Sequence, residues 1–196
     1  PYFRKIIPDQ KITHTDKIFA SFQEDRFQKG LIWLTGTGVY SYNKRTGVWK
    51  NYELKDPSIP INNINSYTNM RQLADGRLVM CAWGTGITVF NPSTGKWKRY
   101  LHEGICDVLG THKIIYWLEK RDEHSVWVNT SLGFGYFELE EEAFHILDKP
   151  IATRYNLPNA NMGKIFCDRD QNVWIGHNQG VNILKNNYKD FSFQPV

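Results

Sequence analysis

Several groups of residues have the right types for chemistry, so their spacing decides what they can do. Asp122-Glu123-His124-Ser125 brings together the carboxylate, imidazole and hydroxyl of a nucleophilic hydrolase. Such triads are assembled by tertiary structure, not from sequence neighbours on a tight turn. The run therefore reads as a solvated turn. His14, His102, His112, His124, His145 and His177 show neither HxxxH nor HExxH spacing. Cys81, Cys106 and Cys167 lie far apart, with no CxxC pair. Neither a zinc site nor a disulfide framework follows from that pattern. Thr35-Gly36-Thr37-Gly38 and Gly84-Thr85-Gly86 have the composition of phosphate loops, but no lysine and helix follow in the required place. Both are structural turns. No catalytic group, metal or cofactor is expected.

Binding chemistry has better candidates. Trp83 offers a flat apolar ring that can stack on a sugar face, and His177, Asn178 and Gln179 offer groups that bond hydroxyls. These four are the candidate ligand-binding residues. The competing reading has Trp83 covering a neighbouring structural unit and the amides closing a turn. Composition sets bounds on partners. The net charge is +4, with 24 basic residues scattered among 20 acidic ones. A nucleic-acid surface gathers its basic residues on one face, and the densest patch here, Lys96 to Arg99, reads as an outer strand whose lysines blunt its edge. No nucleic acid is expected. No apolar run approaches the 18 residues of a membrane span.

The elements that position these residues repeat along the chain. Gly38, Gly86, Gly133 and Gly180 are spaced 48, 47 and 47 residues apart. Trp49, Trp97, Phe144 and Phe191 keep the same spacing. Agreement at two landmarks establishes an internal repeat. Each unit reads as four short strands with period-two alternation, joined by turns rich in Asp, Asn and Gly. In the last unit the strands are Lys164–Cys167, Val173–Ile175, Val181–Leu184 and Phe191–Phe193. No stretch has helical periodicity, and Glu138 to Glu142 falls on a hairpin. In the second unit Met80 and Cys81 stand at the offsets that hold Trp33, Trp127 and Trp174 elsewhere.

Four antiparallel strands per repeat of this length is the signature of a β-propeller blade. The fold class is all-β, with blades at 14–54, 62–102, 112–148 and 160–196. The candidate residues sit on loops between second and third strands, which share a face with the loops between blades. Tyr2 to Ile7 has the phase of an outer strand, so 1–8 is expected to complete a preceding blade. The arc then belongs to a larger ring of seven or eight blades. Its expected partners are the remaining blades or a second copy of the chain.

Asp168-Arg169-Asp170-Gln171-Asn172-Val173-Trp174-Ile175-Gly176-His177-Asn178-Gln179-Gly180-Val181 resembles the two-component regulator propeller repeat. Asp122 to Phe134 matches in the same register, while Asp75-Gly76-Arg77-Leu78-Val79 keeps the turn without the Trp. Pro92 to Trp97 and Lys44 to Trp49 resemble that family's hairpin before its fourth strand. The resemblance covers essentially the whole chain. It implies a periplasmic, non-enzymatic sensing segment of a hybrid histidine kinase, responding to an oligosaccharide or other small ligand. A membrane would be engaged only through other parts of such a protein. A streptogramin-lyase-like enzyme and a protein-interaction scaffold are the alternative readings.

Overall fold

The computed structural model describes residue 6 and residues 19–54, 67–82, 86–101, 114–157, 162–186 and 193–195. The first unit holds β1 (Phe19–Glu24), β2 (Leu31–Gly36), β3 (Val39–Asn43) and β4 (Trp49–Tyr52). The second holds β5 (Tyr67–Gln72), β6 (Leu78–Ala82), β7 (Gly86–Phe90) and β8 (Trp97–Tyr100). The third holds β9 (Ile115–Lys120), β10 (Ser125–Thr130), β11 (Gly133–Glu138) and β12 (Ala143–Leu147). A helix, α1 (Lys149–Arg154), leads to β13 (Met162–Cys167), β14 (Val173–His177), β15 (Gly180–Leu184) and β16 (Phe193–Pro195). Each unit is an antiparallel meander, as its alternating sequence requires.

The turns follow from residue chemistry. Asn43 Oδ1 accepts the backbone N–H groups of Arg45 and Thr46, and Asn91 Oδ1 those of Ser93 and Thr94. The four landmark glycines have positive φ, from +74° at Gly86 to +157° at Gly38, where a side chain would be strained. Glu138 to Ala143 is the predicted hairpin.

Register also corrects the sequence alignment. The residue opposite the third position past each landmark glycine is Trp33, Val79, Trp127 and Trp174. Val79, and neither Met80 nor Cys81, therefore stands in the tryptophan's place. The loop before the glycine is longer there, which shifted the count.

The core lies between blades. Trp33 packs with Tyr67, Met70, Leu78 and Phe90 of the second blade. Val79 and Val89 pack on Leu118, Val126, Val128 and Phe137 of the third. Trp127 and Phe134 pack on Ile165, Val173, Ile175 and Leu184 of the fourth. Polar ties reinforce these contacts. The Arg71 guanidinium grips Glu119 with Nε to Oε1 at 2.5 Å and Nη2 to Oε2 at 2.6 Å. Gln72 Nε2 donates to Asp25 Oδ2 at 2.9 Å, and Lys98 on the outer strand β8 pairs with Glu142 in the turn between β11 and β12.

Two features depart from the sequence reading. The helix α1 was not visible in the periodicity because six residues fall short of two turns; Pro150 in its first turn is the local signal. The C-terminal strand does not complete the fourth blade. β16 instead pairs with β12, matching Leu147 to Phe193 and His145 to Pro195. The third sheet thus has five strands and the fourth three. Phe193 there packs 6.0 Å from Trp127 and 5.3 Å from Tyr136, an aromatic surface that rewards the exchange. The outer strand expected at Tyr2–Ile7 lies, apart from Ile6, outside the described residues.

Candidate functional site

Antiparallel meanders place the second-to-third hairpins at the same end as the starts of the first strands. The candidate residues of the fourth blade sit at that end. His177 closes β14, and Asn178 and Gln179 form the exposed turn. Trp83 lies outside the described residues.

His177 braces its hairpin. Its Nδ1 accepts the Gln179 backbone N–H at 3.2 Å, so Nε2 carries the proton and donates to Asn182 Oδ1 at 2.6 Å. Asn182 Nδ2 then donates to the carbonyl of Tyr155, just after α1, at 2.8 Å. The imidazole is thus committed on both nitrogens, whereas the Asn178 and Gln179 side chains face solvent. Beside this chain of bonds lies a cleft of about 250 Å³, lined by Phe134, Leu147, Tyr155, Leu157 and Asn182 among others. Apolar walls with one convergent amide suit a small ligand with a polar edge.

Sequence reasoning missed a second group near the same end. Trp117 stands opposite Asn129 across β9 and β10. Asn129 Nδ2 donates to the carbonyl of Gly163 in the next blade at 2.8 Å. Asn129 Oδ1 and Trp117 Nε1 are buried and find no hydrogen-bonding partner. An acceptor and a donor side by side match a hydroxyl group, which offers both. A signal was available. Among the described residues Trp117 is the only tryptophan on a first strand, where the repeat has Ser21 and Asn69.

The residues that resembled catalytic groups have structural tasks. Asp122 Oδ1 accepts the His124 N–H, and the His124 ring meets Glu140, not Ser125. Asp168 is the turn carboxylate of its motif: the Trp174 indole at 2.8 Å and the Asn172 amide at 3.0 Å hold its pKa down to about 2. Asp25 does the same for Trp33, at 2.6 Å. Burial, its largest single influence, acts to raise the Asp25 pKa, and four hydrogen bonds together lower it. Burial pushes the thiols up, Cys81 to about 11 and Cys167 to about 12, so both are poor nucleophiles. Among the described residues no group of three or more His, Cys, Asp or Glu is placed to hold a metal ion, and no helix is long and apolar enough to cross a membrane.

No protein-family model matches the chain, and no curated protein sequence does. Solved structures do. The extracellular domain assigned to hybrid two component system BT3049 of B. thetaiotaomicron superimposes with a TM-score of 0.67 at 18% identity, covering 96% of this chain and 26% of that one. PorZ, a surface component of the type-IX secretion system of Porphyromonas gingivalis, gives 0.62 at 19% identity, over 95% of this chain and 28% of that one. A streptogramin B lyase gives 0.62 at 14% identity, over 91% of this chain and 54% of that one. The chain therefore spans about a quarter of the two surface proteins and about half of the lyase. At these identities the likeness establishes the architecture: the chain has the β-propeller fold.

Proposed function

We propose that the chain is an extracytoplasmic ligand-sensing segment of a two-component sensor, which binds a carbohydrate at the hairpin end of its blades and relays the change to a kinase. The observation that carries this reading is the fold likeness to the extracellular domain assigned to BT3049, spanning nearly the whole chain. The site chemistry agrees with it. Asn178 and Gln179 present free amides, and Trp117 with Asn129 presents a buried donor and acceptor beside Gly163. Titration calorimetry against a panel of oligosaccharides tests the reading. At least one glycan should bind, and a combined Asn178→Ala, Gln179→Ala variant should lose at least about tenfold in affinity, the equivalent of one hydrogen bond or more. A panel without binding would overturn the carbohydrate reading.

A second reading rests on the likeness to the streptogramin B lyase, which the chain matches over 91% of its length. In that reading the same face carries out elimination chemistry. Metal-dependent turnover of a streptogramin B would establish it in place of the sensor. A scaffold role predicts neither glycan binding nor turnover.

A further inference from the structure

The residue that follows the first strand of each blade is Asp25, Leu73, Arg121 and Asp168. In the first and fourth blades it is a carboxylate that accepts the indole N–H of that blade's tryptophan, Trp33 or Trp174. The third blade also has its tryptophan, Trp127, but a guanidinium stands in the carboxylate's place. Arg121 lies over two rings, with Cζ 4.3 Å from the centroid of Tyr136 and 5.2 Å from that of Trp127. Such contacts hold a cation without using its N–H donors. Nη1 donates to Ser125 Oγ at 2.9 Å and to Asp122 Oδ2 at 3.2 Å. Nε is buried with no hydrogen-bonding partner, and Nη2 makes no hydrogen bond among the described residues. The unspent donors are therefore neighbours on one edge of the fork. Arg71 uses that same edge, Nε and Nη2, to grip the Glu119 carboxylate.

Arg121 walls a cleft of about 280 Å³ between the third and fourth blades, whose other walls are Trp127, Cys167, Gln171, Val173 and Asn186. Gln171 lies in the turn between first and second strands, so the cleft is at the end of the blades opposite the hairpin site. This glutamine departs from the repeat. Its N–H closes the turn on the carbonyl of Asp168, as the Gly76 N–H closes the matching turn on Leu73. Both have positive φ, +88° at Gly76 and +62° at Gln171. Glycine takes that conformation without strain and glutamine does not. A glutamine placed there points to a use for its side chain. That side-chain amide makes no hydrogen bond among the described residues and lines the cleft. Asn186 spends its Nδ2 on the Asp170 carbonyl at 2.9 Å, which leaves Oδ1 as an acceptor.

We propose that this cleft binds a small hydroxy acid. The carboxylate takes two parallel bonds from the Nε–Nη2 edge of Arg121, the geometry that the chain already shows between Arg71 and Glu119. Nε then gains the acceptor that its burial denies it. The hydroxyl, both donor and acceptor, meets the Gln171 amide and Asn186 Oδ1. Trp127 and Val173 supply apolar wall for a short carbon skeleton. A free hydroxy acid and the uronate unit of a glycan share this chemistry, so the test separates them. The inference does not rest on the sensing role, because the cleft and the Asn178–Gln179 turn lie at opposite ends of the blades.

A nuclear magnetic resonance titration of the intact chain with sodium lactate and, separately, sodium glucuronate tests this at constant ionic strength. The signals followed are the Arg121 Nε–H and the Trp127 indole N–H. At least one of the two acids should shift both signals saturably, with a dissociation constant of about 1 mM or tighter. Lactate alone marks a free hydroxy acid as the ligand, and glucuronate, with or without lactate, marks a uronate. Arg121→Lys keeps the charge and loses the planar fork, so binding read on the indole should weaken at least about tenfold. Gln171→Gly gives the turn the residue that it has at Gly76, so the variant should fold as the parent does. It should still bind at least about threefold more weakly, the effect of one lost hydrogen bond. A failure of both acids to saturate, an equal shift with sodium chloride or phosphate, or parent-like binding by Gln171→Gly would each overturn the proposal.

Discussion

If neighbouring blades are joined by more than apolar contact, the Arg71–Glu119 pair is where that should be measurable. It links equivalent positions on consecutive inner strands with two parallel bonds of 2.5 and 2.6 Å. The side chains are 27% and 13% exposed, so the pair is neither a surface contact nor a fully dry one. Two unit charges whose centres lie about 4 Å apart, as in a bidentate pair of this kind, attract by about 4 kcal/mol where the effective dielectric is near 20. Desolvation and residual screening offset part of that, leaving a coupling of about 2 kcal/mol, above the usual surface pair and below a buried one. Arg71 also donates to Asn69 Oδ1 at 3.0 Å and to the Met70 carbonyl at 2.7 Å, bonds that its loss would strand. Arg71→Met should therefore cost about 3 kcal/mol, Glu119→Gln about 2, and the double variant no more than about 3. Urea unfolding of the four proteins reads these values. Fluorescence and circular dichroism must coincide, because a repeat array can unfold in stages. A coupling below about 0.5 kcal/mol would refute the reasoning and leave apolar packing as the whole of the junction.

Other outcomes follow from geometry. A Cβ on Gly135 would lie 2.1 Å from the His145 carbonyl oxygen and 2.9 Å from Ile146 Cα, both backbone atoms of the paired strand; Gly135→Ala should cost at least about 3 kcal/mol, and a thermal scan showing a loss under about 1 kcal/mol would contradict that. Trp127 is 2% exposed and stacked 5.1 Å from Phe134, so Trp127→Ala should cost about 3–5 kcal/mol, read as a lower urea midpoint at an unchanged slope. The Asp168 carboxyl has its folded pKa lowered from the ordinary 3.8 to about 2. Its contribution is complete above the ordinary value and is lost as pH falls from there through about 2. Stability profiles of the parent and Asp168→Asn should therefore converge in acid, and parallel profiles would exclude the carboxylate as a contributor.

Much of this architecture was legible because the repeat constrains both composition and conformation. Gly38, Gly86, Gly133 and Gly180 mark a backbone geometry that glycine tolerates best, so their spacing survived divergence of the residues around them. The tryptophan position was less readable. Its identity depends on what the next blade presents, and Val79 fills it where the facing surface is branched aliphatic. The pairing of β16 was illegible for a different reason. Phase along the chain says which strand a segment resembles, not which edge offers the better surface, and Phe193 finds its aromatic neighbours beside β12. The candidate site divides in the same way. The exposure of Asn178 and Gln179 follows from their place in a turn, whereas the commitment of both His177 nitrogens depends on Asn182, and the Asn182 amide bonds Tyr155, 27 residues upstream.

The ties between blades also bear on how the molecule comes to be folded. The Arg26–Gln72, Arg71–Glu119, Ala74–Glu123 and Lys120–Cys167 contacts are separated by 46, 48, 49 and 47 residues respectively. Every such contact closes a loop of nearly the same size, so each successive blade meets nearly the same entropic barrier as the last. Contact order then stops growing in absolute terms once two blades are present, and assembly can advance along the chain in equal steps. A nascent chain leaving the ribosome could lock each blade as it emerges, without waiting for a distant strand. The return of β16 to β12 obeys the same rule, since the pairings of Leu147 with Phe193 and of His145 with Pro195 close loops of 46 and 50 residues.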